Sequence, residues 1–435
     1  MELVVLLAVV VQLCGSVHGE LELLQVFNIW RHGDRAPVRM FSSAEAAAHP
    51  LFKNGLKNLT DQGIQHAFHM GQFIKYKYGD FLSTPDQVHI RSTSHDRTIR
   101  TAQEAMRAVF GDQKVELEVA EGEDWMLKPS YMHCPVLQQL QEAKCPNFVQ
   151  FPSDYATNFD SYEYDLFRCA GLDKKLKYFG PGKWSFRLME SILNEALNNY
   201  LFLGTNVTDG HVREARKMYR KVQRITLGIG PYHEPELLRV YSGELLFDIT
   251  SKMKAQIDCD KTESCGPIIF HGYSSQDLQI FPMLEIFNST RAAVGGDAPL
   301  YTSGIFIELW AGDDYDYYVK VFYRQDYSDN LVELNQYLPH CRGKAFCDFE
   351  DFVYGISDFI TSSNQLACQD IDRIRYRLEQ IGKGTIDGVV QVDHVRLDDE
   401  DDDAQRQRNA AALGWLPTGF NIYALALLIY FYRLI

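Results

Sequence analysis

The sequence predicts an α/β fold with a mixed, mostly parallel sheet flanked by helices and interrupted by an inserted, mostly helical cap. Three apolar runs of strand length, at 24–30, 88–91 and 267–270, each end in polar or charged residues. The first two lead into segments whose apolar residues recur at helical spacing. Between the second and third lies a Lys-, Leu- and Tyr-rich stretch of helical pattern, from about 111 to 240. Such alternation favours a sheet with helices on its faces.

The elements follow this order along the chain. The strand at 24–30 precedes a helix that is expected to begin near Thr60 and Asp61, with an apolar stripe that includes Ile64 and Ile74. The strand at 88–91 leads to a helix over about 93–109, whose first turn Ser and Thr can cap. Residues 304–310 and 317–323 are predicted to pair as a hairpin.

Composition sets limits on the class of protein. The chain is 46% hydrophobic, enough for a large core, and its formal net charge of −15 argues against a nucleic-acid partner. We divide it into a signal peptide (1–19), a first part of the core (20–110), a helical cap (111–240), a second part of the core (241–381), an acidic stalk (382–412) and a membrane anchor (413–435).

Two motifs indicate a phosphate site. The string IWRHGDRAP brings Arg31, His32 and Arg35 to the end of the first strand, where α/β sheets hold ligands. Arginine forks suit phosphate oxygens, and an imidazole among them can attack phosphorus. The string RSTSHDRT places Arg91 at the end of the second strand, beside a helix start that favours an anion.

RHGDRAP and RSTSHDRT together resemble the signatures of the histidine acid phosphatases of lysosomal and prostatic type, within the histidine phosphatase superfamily. The resemblance implies a phosphomonoester hydrolase in which His32 is the nucleophile and forms a phosphohistidine. It also implies that Arg31, Arg35, Arg91 and His271 hold the phosphate. No metal or cofactor is expected, because the arginines supply the positive charge. The resemblance further implies a cap that sets substrate choice, and a homodimer.

The third strand departs from the family pattern. An aspartate that protonates the leaving group usually follows the second histidine, whereas Gly272 follows His271 here. The proton donor is therefore unknown, with Asp277 and Asp34 as the remaining candidates. Loss of a general acid costs about 10²–10⁴-fold, so we expect reduced activity. The alternative is a non-catalytic phosphoester-binding or structural ectodomain.

The N-terminus and the cysteines indicate the secretory pathway. An apolar run at 3–11 followed by small and polar residues is typical of a signal peptide, with a buried first strand as the alternative. Its removal takes Cys14 and leaves eight cysteines, an even number that favours disulfides. Short loops would be closed by Cys259–Cys265 and Cys341–Cys347, and the resemblance suggests Cys134–Cys368, which leaves Cys145–Cys169. Glycosylation sequons stand at Asn58, Asn206 and Asn288.

The C-terminal segment is apolar over 413–432, long enough to span a bilayer as a type I anchor. A glycolipid-anchor signal and a buried core helix are the alternatives. The acidic run at 398–403 predicts an extended, solvated stalk before it. A lysosomal and a cell-surface location both fit these features.

Overall fold

The computed structural model describes residues 21–38, 49–122, 124–129, 134–144, 170, 172, 186–197 and 207–382. The predicted α/β class is confirmed. The strands are β1 (Glu22–Arg31), β2 (Val88–Ser92), β3 (Leu117–Val119), β4 (Phe270–Ser275), β5 (Gly304–Ala311), β6 (Tyr317–Arg324), β7 (Leu331–Glu333) and β8 (Cys347–Asp348). The helices are α1 (Asp61–Tyr78), α2 (Asp96–Phe110), α3 (Pro135–Lys144), α4 (Phe186–Leu197), α5 (Asp209–Leu227), α6 (Pro235–Asp260), α7 (Asp277–Ile286), α8 (Thr290–Val294), α9 (Phe349–Ile356), α10 (Asn364–Gln369) and α11 (Ile371–Gly382).

The described strands form one mixed sheet in the order β3-β2-β4-β1-β5-β6-β7, with β8 paired to β6. Strands β1, β2, β3 and β4 run parallel, and β5 to β8 continue the sheet antiparallel. Ser274 of β4 is level with both Trp30 of β1 and Ser92 of β2. The carboxyl ends of these three strands therefore meet at one edge of the sheet, where α/β folds hold their ligands.

Strand β1 is central because every side chain from Leu24 to Trp30 is buried. Val26 and Trp30 pack with α1 and α2 on one face of the sheet. Phe27 and Ile29 pack with α6 and α7 on the other face. This alternation follows from the two-residue period of a strand, and it covers both faces with helices.

The predicted elements begin close to their expected positions. Helix α1 begins at Asp61, and the Thr60 hydroxyl caps it by accepting a hydrogen bond of 3.0 Å from the Gly63 N–H. Helix α2 begins at Asp96, a few residues later than predicted. Strands β5 and β6 form the predicted hairpin.

Three of the expected disulfides are present: Cys134–Cys368, Cys259–Cys265 and Cys341–Cys347. Cys145, Cys169 and the Asn206 sequon lie outside the described residues, as do the expected signal peptide, most of the stalk and the anchor. Within the described parts of the chain, the helices are too short or too polar to cross a membrane.

Candidate active site

His32 lies directly after β1 and is almost completely buried, with 2% of its surface exposed. Its Nδ1 lies 2.8 Å from the carbonyl oxygen of Gly33. Because a carbonyl can only accept a hydrogen bond, Nδ1 carries the hydrogen in the neutral ring and Nε2 carries the lone pair. Nδ1 is therefore held by this hydrogen bond, and the lone pair of Nε2 is available for reaction.

Three arginines lie around this imidazole. Burial, followed by the positive charges of Arg97, Arg35 and Arg31, lowers the pKa of His32 well below its usual value. Burial and the neighbouring Arg35 also lower the pKa of Arg97, to about 10. A cluster whose charges repel each other in this way is stabilised by an anion placed among them.

Several hydrogen-bond donors of the cluster have no partner among the residues that the structure describes. The Nε atoms of Arg31, Arg35 and Arg97 are buried without a hydrogen bond, as is Nε2 of Gln276. Buried donors of this kind are costly unless a ligand satisfies them. Their number and positive charge suit the oxygens of a tetrahedral dianion.

Arg91 lies outside the cluster, which contradicts its expected role. It is level with Glu118 on the neighbouring strand β3, and its guanidinium lies 3.0 Å from Glu118 and 3.2 Å from Asp124. Arg97, in the same RSTSHDRT string, takes the expected place because it stands in the first turn of α2. A helix start favours an anion, but the sequence analysis associated that start with Arg91, whereas Arg97 is the arginine in its first turn.

His271 is also misplaced by the sequence analysis, because β4 does not end there. His271 is level with Phe27, four residues before the end of β1 at Arg31, or about 13 Å at the usual rise of a strand. Its ring stacks on Phe27 at 4.9 Å, and its Nε2 lies 3.0 Å from the Gln25 amide nitrogen. Burial lowers the pKa of His271 to about 3, so the ring is a neutral core residue.

Gly272 lies within β4 and cannot mark the place of a lost acid. A Cβ atom there would lie 2.5 Å from the Trp30 ring and 2.6 Å from Ile90. This close approach requires glycine, which explains its presence without reference to catalysis. The expectation of reduced activity therefore loses its basis.

Strand β4 continues through two buried serines before it reaches the site. The Trp30 indole donates to the Ser274 hydroxyl at 3.0 Å, and the Ser275 hydroxyl donates to the Leu127 carbonyl at 3.0 Å. Because these hydroxyls are satisfied, polar residues can lie inside a buried strand. Gln276 and Asp277 thus follow the strand, where the family pattern led us to expect a histidine and an aspartate.

Both residues contact the arginine cluster. Arg97 donates to Oε1 of Gln276 at 3.3 Å. Oδ2 of Asp277 lies 3.3 Å from Nη2 of Arg31 and accepts a hydrogen bond of 3.2 Å from Gln223. Asp277, one of the two remaining proton-donor candidates, is therefore in the site.

Asp34, the other candidate, instead contacts Thr60, the residue that caps α1. One of its carboxylate oxygens accepts a hydrogen bond of 2.6 Å from the Thr60 hydroxyl, and its backbone carbonyl accepts another from the Thr60 N–H at 3.1 Å. These contacts fix the loop after His32 to the start of α1.

A small cavity of ≈ 120 Å³ opens beside Arg31 and Asp277. Tyr301 forms one wall, with its ring centroid 4.2 Å from the Arg31 guanidinium, and helices α4 and α5 form the other. A larger cavity of ≈ 840 Å³ lies between α1 and residues 323–330, but it contains none of the clustered residues. Arg31 and Asp277 line the smaller one.

Comparison with known proteins identifies the family of the chain. The family model of the histidine phosphatase superfamily (branch 2) matches residues 22–324. Prostatic acid phosphatase of Mus musculus is 24% identical over 82% of this chain and 91% of its own, and that of Bos taurus is 24% identical over 85% and 93%. The fold resembles the Hafnia alvei phytase in complex with tartrate, with a TM-score of 0.54 at 16% identity over 80% of this chain and 98% of that one. The Klebsiella sp. ASR1 phytase gives the same TM-score and identity over 79% and 98%. The chain therefore belongs to branch 2 of the histidine phosphatase superfamily.

Proposed function

We propose that this protein hydrolyses phosphate monoesters through attack of His32 Nε2 on phosphorus. The observation that carries the proposal is a buried, neutral imidazole among three guanidiniums. Its lone pair is directed by the hydrogen bond from Nδ1 to Gly33, and the surrounding charge favours a bound dianion. The acid phosphatase relatives support the same reaction class.

The reaction has two steps. Nε2 forms a bond to phosphorus while the bond to the leaving oxygen breaks, and Asp277 transfers its proton to that oxygen. Water then attacks the phosphohistidine, Asp277 takes a proton from the water, and inorganic phosphate leaves. Arg31, Arg35 and Arg97 neutralise the phosphate oxygens, and the unpaired Nε2 of Gln276 supplies a further donor.

Trapping the intermediate tests the covalent mechanism. Protein mixed with a phosphate monoester and quenched without acid should carry phosphate on His32, detected by mass spectrometry. The His32→Ala variant should carry none and should lose turnover. Binding of inorganic phosphate without label or turnover in the wild type would instead support the alternative of a non-catalytic phosphoester-binding ectodomain.

The proton donor is tested by comparing leaving groups. Asp277→Asn should slow the hydrolysis of alkyl phosphates by about 10²–10⁴-fold, because an alkoxide leaves poorly without a proton. Aryl phosphates, whose phenolate leaves readily, should lose much less. Asp34→Asn is the matched control: it weakens the contact with Thr60, and its effect should not depend on the leaving group. Equal losses on both substrate types for Asp277→Asn would refute its role.

We also propose that helices α3, α4 and α5 belong to the cap over the site. Glu190 and Asn194 of α4 and Tyr219 of α5 line the small cavity, which supports this assignment. The sequence between β3 and α6 thereby contributes the side of the site that faces the leaving group. Substrate choice would follow from these residues.

The disulfides and the acid phosphatase relatives indicate a secreted or lumenal protein. We propose, from the sequence, that a signal peptide directs it there and that residues 413–435 anchor it. Of the sequons on described residues, Asn288 is exposed and suits glycosylation, while Asn58 is half-buried.

A chain ending at Gly382 should be secreted and soluble, whereas the full chain should sediment with membranes. Release of the full chain by a phosphoinositide-specific phospholipase would identify a glycolipid anchor.

A further inference from the structure

A carboxylate from the cap side enters the arginine cluster. Oε1 of Glu190, on α4, lies 2.9 Å from Nη1 of Arg35, and the two side chains are 12% and 9% exposed. Its Oε2 accepts a hydrogen bond of 3.3 Å from the Val38 backbone N–H. A guanidinium and a backbone N–H are also the donors that proteins use for phosphate oxygens. Glu190 therefore occupies the Arg35 guanidinium, which a phosphate would need.

Helix α4 does not depend on this ion pair for its position. Asn194, one turn after Glu190, donates to the Arg35 carbonyl at 2.7 Å and to the Tyr301 hydroxyl at 3.1 Å. Met189 and Ile192 are completely buried on the same helix. The charge of Glu190 is thus separable from the packing that holds α4 beside the site.

Glu190 also lines the small cavity, in which we expect the leaving group to bind. Glu190, Leu193, Asn194 and Leu197 recur at helical spacing and line the small cavity as one face of α4. The Glu190 carboxylate lies at the Arg35 end of that face, and the leucines form the apolar wall beyond it. Arg216, Arg220 and Asp297 also line the cavity, and Arg220 pairs with Asp297, so a leaving group there would meet charges of both signs, with the Glu190 carboxylate at the Arg35 end.

The electrostatic consequence has a definite sign. Burial alone would lower the pKa of Arg35, but Glu190 and its neighbours raise it above the usual value. A phosphate dianion that binds Arg35 must share the guanidinium with this carboxylate or displace it, and two like charges at close range in a buried site repel strongly. Glu190 therefore opposes the binding of an anion at Arg35, but it does not disturb the arrangement of the arginines.

We propose that Glu190 is an internal competitor of phosphate that speeds release of the product and selects against substrates whose leaving group is anionic. This inference rests on the proposed phosphatase function. It predicts that the Glu190 charge disfavours monoesters whose leaving group carries a carboxylate.

Glu190→Gln tests the inference, because glutamine keeps the shape and can still accept from the Val38 N–H but carries no charge. The inhibition constant of inorganic phosphate should fall by about tenfold or more. The matched substrates are glycerol 3-phosphate and 3-phosphoglycerate, which differ by a carboxylate in the leaving group. The preference of the wild type for glycerol 3-phosphate, measured as a ratio of kcat/KM, should shrink by about tenfold in the variant.

Glu236→Gln is the control, since it removes the same charge from a pair with Arg373 that does not line the cavity, and it should change neither quantity. If Glu190 only orients Arg35, Glu190→Gln would raise the inhibition constant of phosphate and slow both substrates equally. That result, or no change, would overturn the inference.

Calorimetric titration with inorganic phosphate separates this inference from the proposed function. If the wild type binds phosphate but turns over no substrate, the proposed function fails, and tighter binding by Glu190→Gln still supports the competitor. If neither protein binds phosphate, the competitor is refuted as well. Thermal unfolding of both variants checks that each is folded.

Discussion

At the scale of single residues, the state of His32 follows from its neighbours. Its pKa is lowered by burial and by three guanidiniums, so the ring stays neutral well below the usual histidine range. Acidic solution therefore leaves the lone pair on Nε2 in place. An uncharged nucleophile also adds no positive charge to a cluster in which Arg97 already has a lowered pKa.

Arg97 and Arg91 form a matched pair for testing which arginine binds phosphate. Arg97→Ala removes a guanidinium from the cluster and should lower kcat/KM by about 10²–10³-fold, as loss of a transition-state donor does. Arg91→Ala removes a guanidinium held by Glu118 and Asp124 and should leave kcat/KM within about twofold. Steady-state kinetics with an aryl phosphate measures both. The reverse order of effects would restore the role first expected of Arg91.

The sequence predicted which residues lie together where one motif contained all of them. Arg31 ends β1, and His32 and Arg35 lie in the loop that follows, so their proximity needs no further information. Arg97 and Asp277 required the position of a helix start and the end of a strand, which depend on tertiary contacts. Gln276 stands where a histidine was expected, and only the register of β4 against β1 reveals that position.

At the scale of elements, β4 extends further along the chain than the sequence analysis predicted. A strand was expected to end at its first polar residue, but Ser274 and Ser275 are buried with their hydroxyls bonded. His271 is likewise buried and neutral. Composition therefore placed the strand at 267–270, whereas β4 runs from Phe270 to Ser275, and hydrogen bonds from its serine hydroxyls to the carbonyls of Thr98 and Leu127 let it continue.

Gly272→Asp should harm the fold and bring no gain in catalysis. Its Cβ would approach the Trp30 ring at 2.5 Å, and the carboxylate would be buried away from the arginines. We expect the free energy of unfolding to fall by about 3–5 kcal/mol. Gly266→Asp is the control, because open space surrounds that glycine. Denaturant unfolding measures both, and a stable Gly272→Asp variant with faster alkyl phosphate hydrolysis would contradict the placement of β4.

His271→Phe should make stability less dependent on pH without loss of activity. The folded pKa of His271 is about 3, below the usual 6.5, so the unfolded chain binds a proton first as the pH falls. Stability is then lost as the pH drops below about 6.5, by up to about 1.4 kcal/mol per unit. Phenylalanine keeps the stacking on Phe27 and removes this loss. The fall in Tm between pH 7 and pH 5 should be smaller in the variant, and an unchanged kcat/KM would support the exclusion of His271 from the site.

At the scale of the whole molecule, the predicted fold class follows from the order of strands and helices, which composition and periodicity reveal. The pairing order of the strands could not be read in this way, because β4 is inserted between β1 and β2 from far along the chain. The site depends on that insertion, since it brings Asp277 to Arg31. The long-range pairing of β4 with β1 and β2 is therefore the part of the fold that brings the candidate site residues together.

The disulfides provide a test of how the distant parts of the chain are held together. Cys134–Cys368 joins residues 234 apart and ties α3 to α10 and α11, which pack against it. Cys341–Cys347 closes a loop of only 6 residues. In the chain-entropy model, loss of the long cross-link should cost about 5 kcal/mol and loss of the short one about 2 kcal/mol. Paired Cys→Ala variants of each bond, compared by thermal unfolding, measure the difference. Because α3 lies in the region that we propose as the cap, the long-link variant should also lose activity at a lower temperature than the short-link variant. Equal losses would mean that packing of α3 against α10 and α11, without the covalent bond, already fixes this part of the molecule.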